Sequence, residues 1–112
     1  MSKTVDIEAM YQHLEDTVRA YNPAANFAQI RQAYEFARDL HGSQLRKDGS
    51  PFVTHPLAVA QIVAEELHLD SESIEAALLH DTIEDTDATH EQLAKMFSPT
   101  VADLVEGVSK LT

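Results

Sequence analysis

Residue types that commonly bind divalent metals occur at three positions in the middle of the chain. His80 and Asp81 are adjacent, and a further histidine, His55, directly precedes Pro56. Imidazole nitrogen and carboxylate oxygen together suit a cation such as Mn²⁺, Fe²⁺ or Zn²⁺. Neighbouring residues of a helix diverge by about 100°, so His80 and Asp81 can share an ion only beside the helix, with a third ligand from elsewhere. His55 is the best candidate, because Pro56 predicts a helix start at which a side chain can point into a cleft.

Two carboxylates, Glu84 and Asp85, follow one turn after this pair. On a continuous helix they share a face with Ala77 and Leu78, so a helix that buries those apolar residues also directs the carboxylates inward. Buried carboxylates need a cation, hydrogen bonds or a wet cleft. A metal can lower the pKa of water, and Glu84 and Asp85 would then bind that water or move its protons. The alternative is a helix end that lies in solvent, although carboxylates there oppose the helix dipole.

A basic pair, Arg46-Lys47, lies in the one long loop, residues 42–51. These are the only adjacent basic residues of the chain, and a polyanionic ligand requires cations. The alternative is two loop charges in solvent. The other histidines are predicted to have surface or capping roles: His13, His41, His68 and His90.

The acidic residues are unevenly distributed. The 112 residues carry a net charge of −11, and 11 of the 19 acidic residues lie between Asp48 and Ala94, where there is no Lys or Arg. This acidity argues against binding to duplex nucleic acid. There is no cysteine, no apolar run long enough to span a membrane and no apolar signal core at the N-terminus. These features favour a cytoplasmic protein. The uneven charge itself has two explanations: carboxylates that hold a cation, or simply a solvated acidic surface.

The hydrophobic periodicity that positions these residues is helical nearly throughout. The stripes and capping residues predict six helices, with Pro56 as the first residue of the third and Asp70-Ser71 capping the fourth. The predicted ranges are about 5–20, 27–41, 56–68, 71–84, 89–97 and from 98–99 onward. The sequence therefore predicts one compact all-α domain over residues 1–112.

Three strings resemble a known family. His55 with His80-Asp81 is similar to the HD metal-dependent phosphohydrolase superfamily. Residues 41–56 (HGSQLRKDGSPFVTHP), 76–86 (AALLHDTIEDT) and 105–111 (VEGVSKL) are more specifically similar to the hydrolase domain of RelA/SpoT homologues. The resemblance covers about residues 27–112.

The resemblance implies an HD-like helical bundle that uses Mn²⁺ to hydrolyse the alarmone (p)ppGpp, removing the 3′-pyrophosphate to leave GDP or GTP. It also implies roles for eight residues: metal ligation by His55, His80 and Asp81, catalysis by Glu84 and Asp85, and nucleotide contacts by Arg46, Lys47 and Gly49.

One motif of the family is missing. The string Leu-Ala-Asp-Arg-Leu-His-Asn, which supplies a fourth metal ligand and an Asn that contacts the nucleotide, does not occur here. Asp103 cannot take this role, because it precedes the Val-Ser-Lys-Leu string. We therefore expect a C-terminally truncated hydrolase domain with weak metal binding and little turnover. A last helix that ends on Val108 and Leu111 would leave apolar surface uncovered, which predicts self-association.

Two alternatives to alarmone hydrolysis stay open from the sequence. One is another HD phosphohydrolase that acts on ordinary nucleotides. The other is a non-catalytic helical module for regulation or association.

Overall fold

The computed structural model describes residues 6–42, 45, 47, 49, 51–82 and 88–111, with side chains as far as residue 107. This part of the chain forms helices and no β-strand, apart from an isolated antiparallel bridge between Leu45 and Pro51. The predicted all-α class is therefore confirmed. The helices are α1 (Ile7–Tyr21), α2 (Phe27–His41), α3 (Thr54–Leu67), α4 (Ser71–Leu79), α5 (His90–Met96) and α6 (Pro99–Leu111).

Polar residues cap five of these helices, including α6, where the Ser98 hydroxyl oxygen accepts the N–H of Val101 at 3.0 Å. Asp6, Asn26, Asp70 and Thr89 each accept a hydrogen bond, of 3.0–3.1 Å, from the backbone N–H three residues further on. Such caps satisfy donors that have no partner within the helix. The starts of α1, α2, α4 and α5 thus follow from local sequence.

The core is built around α4, which packs against α2, α3 and α6. Every residue from Ile74 to His80 is buried, so this stretch has no solvent-facing side. Ala76 and Ala77 contribute only small side chains to this buried stretch. Outside this centre, Tyr11 of α1 stacks on Tyr34 of α2, with ring centroids 4.6 Å apart.

Helix α4 ends earlier than predicted, at Leu79 instead of about Glu84. Two side chains form hydrogen bonds to backbone carbonyl groups that would accept backbone N–H groups in a longer helix. The Nδ1 atom of His80 lies 2.6 Å from the carbonyl oxygen of Ala77, and the Thr82 hydroxyl donates to the Leu79 carbonyl at 2.7 Å. Such local bonds compete with the backbone hydrogen bonds of a helix, so α4 does not continue past His80 as predicted.

Helix α3 begins earlier than predicted, so that Pro56 is its third residue and not its first. The N–H groups of Thr54 and His55 each bond at 3.1 Å to the carbonyl three residues before, on Pro51 and Phe52. This tight turn starts the helix ahead of the proline. At the other end, α3 stops at Leu67, close to the predicted end at about residue 68, and the Leu67 side chain is 63% exposed.

No helix of the described residues is both long and apolar enough to cross a membrane. The side chains of Val108 and Leu111, on which the prediction of self-association rested, lie outside the described part of the chain.

Candidate metal centre

His55 is held in the first turn of α3. Its N–H donates to the Phe52 carbonyl at 3.1 Å, and the hydroxyl of the preceding Thr54 donates to the Pro51 carbonyl at 2.8 Å. These bonds involve the backbone and the neighbouring Thr54, and the imidazole of His55 projects from the helix start with 38% of the side chain exposed. His55 therefore offers a ring nitrogen at a surface that solvent can reach.

His80 lies directly after α4 and is oriented by that helix. Its Nδ1 atom faces the Ala77 carbonyl oxygen at 2.6 Å. A carbonyl oxygen can only accept, so Nδ1 is the donor of this hydrogen bond, and Nε2 is the ring nitrogen that faces Asp81. Fixing one ring nitrogen on a carbonyl so that the other can bind a metal is the common arrangement of metal-binding histidines.

Asp81 brings the two histidines together. Its Oδ2 atom lies 3.3 Å from Nε2 of His80 and 3.6 Å from Nε2 of His55. One ligand atom from each of the three residues lies within 4.8 Å of the others. The two imidazole rings are 5.4 Å apart and inclined by 60°. The end of α4 and the start of α3 thus meet at a single point.

These three residues fit a divalent cation. Two ligands about 2.1 Å from one ion are about 3.0 Å apart at a right angle and about 3.4 Å apart at the tetrahedral angle, close to the separations from Asp81 Oδ2. This oxygen is buried and accepts no hydrogen bond from the residues that the structure describes. A buried carboxylate oxygen without a donor is costly, and a cation would remove that cost.

An apolar cavity of about 470 Å³ adjoins the cluster. His55 and His80 line its edge, and the rest of its wall comes from α3, α4, the segment between them and α6. Valines, leucines and alanines at helical spacing indicate core, so the sequence pattern does not mark the other lining residues as part of a site. They are Val59, Val63, Leu69, Ser73, Ala76, Ala77 and Leu104.

Two further predicted site residues that the structure describes, Lys47 and Gly49, are not members of this cluster. Lys47 and Gly49 lie exposed in the loop between α2 and α3. Gly49 has φ +88° and no atom within 4 Å of a hypothetical Cβ, so backbone conformation accounts for a glycine there. Arg46, Glu84 and Asp85 lie outside the described residues, and their predicted roles stay predictions.

The predicted surface role of His41 is wrong. Its side chain is only 2% exposed and stacks on Phe52, with ring centroids 4.5 Å apart. The apolar stripe of α2 already contained enough residues to form the core, so nothing in the pattern required a buried histidine at its end. Proximity to the long loop was the one signal that set this histidine apart.

Glu75 is a buried carboxylic acid that sequence reasoning did not single out. It is fully buried, and neither carboxylate oxygen has a hydrogen-bond partner within the described part of the chain. Burial, and then the nearby carboxylates of Glu72 and Asp70, raise the pKa of Glu75 to about 7. It lies on the opposite side of α4 from the cavity-lining residues Ser73, Ala76 and Ala77, so it is not part of the metal cluster.

Comparisons with known proteins agree with this geometry. The model of the HD domain family matches residues 33–112. The bifunctional (p)ppGpp synthase/hydrolase SpoT of Escherichia coli K12 is 49% identical over 102 residues, which are 91% of this chain and 14% of that protein. The guanosine-3′,5′-bis(diphosphate) 3′-pyrophosphohydrolase of Aquifex aeolicus is 48% identical over 111 residues, which are 99% of this chain and 15% of that protein.

A further relative carries a different name. The GTP pyrophosphokinase rsh of Brucella ovis is 47% identical over 98 residues, which are 88% of this chain and 13% of that protein. The chain thus spans about one seventh of the length of the curated relatives it matches. The matched segment contains His55, His80 and Asp81, and the resemblance to RelA/SpoT homologues is confirmed. The chain belongs to the HD domain family.

Proposed function

We propose that this chain forms the metal-binding part of a Mn²⁺-dependent hydrolase that removes the 3′-pyrophosphate of (p)ppGpp and leaves GDP or GTP. The single observation that carries the proposal is the meeting of His55, His80 and Asp81 at one point, in a chain whose relatives are named as pyrophosphohydrolases of this nucleotide.

Each residue of the cluster has a distinct task in this proposal. His55 and His80 each provide Nε2, and the hydrogen bond from His80 Nδ1 to Ala77 keeps that ring in the ligating orientation. Asp81 provides the negative charge that neutralises part of the cation. When bound, a divalent ion supplies Lewis acidity and lowers the pKa of water. The mixed nitrogen and oxygen set is compatible with Mn²⁺.

The remaining roles rest on sequence position. Glu84 and Asp85, shortly after Asp81, are proposed to position the attacking water and accept its proton. Arg46, Lys47 and Gly49 are proposed to contact the phosphates of the nucleotide, since basic side chains compensate a polyanion. The net charge of −11 leaves few other cations for this purpose. A nucleotide substrate is consistent with the predicted cytoplasmic location, which stays a prediction.

Manganese binding and pyrophosphate release test the proposal together. Binding of Mn²⁺ to the full chain is measured by calorimetry and by the loss of the free-ion EPR signal, and release of pyrophosphate is measured with ppGpp. His80→Ala should weaken Mn²⁺ binding by about 10–100-fold, as expected for loss of an interaction that holds a metal. His13→Ala is the matched control, because that imidazole is exposed on α1, and it should leave the affinity unchanged.

The identity of the substrate is tested by competition. With Mn²⁺ present, ppGpp should bind more tightly than dGTP or a cyclic nucleotide. Tighter binding of dGTP would favour an HD phosphohydrolase of ordinary nucleotides. Equal Mn²⁺ binding by the wild type and His80→Ala, with no nucleotide binding by either, would favour a non-catalytic helical module.

A further inference from the structure

The loop that joins α2 to α3 is closed at its base by two stacked rings. His41 is the last residue of α2, and Phe52 directly follows the loop. Their ring centroids are 4.5 Å apart with the planes inclined by 30°, which is a stacked arrangement. Above this pair, Leu45 and Pro51 form an antiparallel bridge. The two ends of the loop therefore meet twice, first at the ring pair and then at the bridge.

Local backbone structure fixes both rings. Gly42, with φ +52°, ends α2 immediately after His41, and its N–H donates to the Arg38 carbonyl at 3.0 Å. On the other side, the Phe52 carbonyl accepts the N–H of His55 at 3.1 Å. The pair thus connects the end of α2 to the turn that carries His55.

We propose that His41 and Phe52 form a base clamp, a positioning element that fixes the loop residues Lys47 and Gly49 relative to His55 for binding of a phosphate-rich nucleotide. This inference rests on the proposed function and adds a positioning residue to it. A loop with its ends held together samples fewer conformations, so less freedom is lost when its basic residues meet a ligand. Aromatic stacking supplies the contact, because offset rings attract each other beyond their buried area.

The burial of His41 fits this role better than a ligating one. The ring is 2% exposed and faces Phe52. The metal candidates at His55, His80 and Asp81 form their own cluster without it. Loss of the His41 ring should therefore change the loop and leave the cluster nearly intact, because α3 and α4 retain their own backbone hydrogen bonds.

Trypsin cleavage tests the clamp without any ligand. Trypsin cuts after Arg46 and Lys47, and its rate at a folded protein follows local opening. His41→Ala should raise the rate of cleavage at these two positions about fivefold, the range expected when an aromatic pair is lost. His41→Phe keeps a stacked ring and should cleave at the wild-type rate. Equal rates for wild type and His41→Ala would overturn the clamp, and so would a His41→Phe variant that behaves like His41→Ala.

Nucleotide affinity tests the positioning role. With saturating Mn²⁺, His41→Ala should bind ppGpp about fivefold more weakly, while its Mn²⁺ affinity stays within about twofold of wild type. His41→Phe should restore ppGpp binding. A purely structural role would instead lower Mn²⁺ affinity and thermal stability together, and that result would overturn the proposal, as would unchanged ppGpp binding in His41→Ala.

Two further measurements keep the outcomes distinct. Phe52→Leu removes the stack from the other side while keeping apolar volume, and it decides the question if His41→Ala does not fold. A wild-type chain that binds Mn²⁺ but not ppGpp would overturn the proposed function and the positioning role, whereas the trypsin rates would still establish or refute closure of the loop base.

Discussion

At the scale of single residues, His80 shows how a backbone contact prepares a side chain for metal binding. The Ala77 carbonyl accepts a hydrogen bond from Nδ1 and thereby orients the ring so that Nε2 lies beside Asp81. The sequence predicted that His55, His80 and Asp81 would meet, but it placed the pair on a continuing helix, where neighbouring side chains diverge by about 100°. The structure ends the helix instead, and the resulting turn allows His80 and Asp81 to approach within 3.3 Å.

The buried Glu75 makes a prediction about stability and pH. Because the pKa of Glu75 is raised from 4.5 to about 7, the folded chain binds this proton more tightly than the unfolded chain does. The contribution of Glu75 to the free energy of unfolding is therefore most favourable below pH 4.5. This contribution declines as the pH rises to 7, by about 3 kcal/mol at most. Glu75→Gln should remove this decline and be about 2 kcal/mol more stable than wild type at pH 8.

Urea unfolding at several pH values checks this prediction. The quantity to compare is the difference in free energy of unfolding between wild type and Glu75→Gln, which should be small at pH 4.5 and grow up to pH 7. Glu66→Gln is the control, since that carboxylate is exposed on α3. A difference that does not vary with pH would show that Glu75 is not protonated in the folded chain near neutrality.

At the scale of helices, the starts could be predicted and some of the ends could not. Caps such as Asp70 and Thr89 act on a backbone N–H three residues away, so a short stretch of sequence contains the information. The end of α4 depends on His80 and Thr82 bonding to carbonyls of the helix, in competition with further helical turns. Hydrophobic periodicity does not indicate which of those bonds will form.

The cap of α4 gives a prediction at this scale. Hydrogen bonds from Ser73 lower the pKa of Asp70 below its ordinary value of 3.8. Asp70→Ala should therefore reduce the free energy of unfolding by about 1 kcal/mol at pH 7. The reduction should shrink as the pH falls below 3.8 and the carboxylate of the wild type becomes protonated.

Chemical denaturation of Asp70→Ala, with Asp70→Asn as the matched variant, measures this effect. Asparagine retains an oxygen that accepts the Ser73 N–H, so it should keep most of the stability at every pH. If both variants were equally destabilised, the charge and not the hydrogen bond would be the source of the stability.

At the scale of the whole molecule, the uneven charge has a structural counterpart. The acidic block between Asp48 and Ala94 contains the buried Glu75 and also Asp81, whose Oδ2 is buried beside two histidines, so not all of its acidic residues belong to a solvated surface. Sequence composition located the block but could not divide it into buried and exposed members. That division depends on which faces of α4 are covered by α2, α3 and α6.

Metal binding should stabilise the entire chain, since His55 is far in sequence from the adjacent pair His80-Asp81 and meets it only in the folded state. At a Mn²⁺ concentration 100 times the dissociation constant, the free energy of unfolding should rise by about 2.7 kcal/mol. Thermal unfolding with Mn²⁺ and with EDTA measures the rise. The same addition should raise the free energy of unfolding of His80→Ala by only about 0.4–1.4 kcal/mol, because its Mn²⁺ affinity is about 10–100-fold lower, and an equal rise in that variant would place the stabilising ion elsewhere.

The burial of every residue from Ile74 to Leu79 in α4, and of His80 directly after it, has a consequence for the evolution of this sequence. A helix at the surface has a solvent-facing side, where substitutions are nearly neutral. This stretch has no such side. Away from the cavity beside Ala76 and Ala77, substitutions there must preserve volume. His80 thus follows directly on a stretch that evolution can alter only slowly.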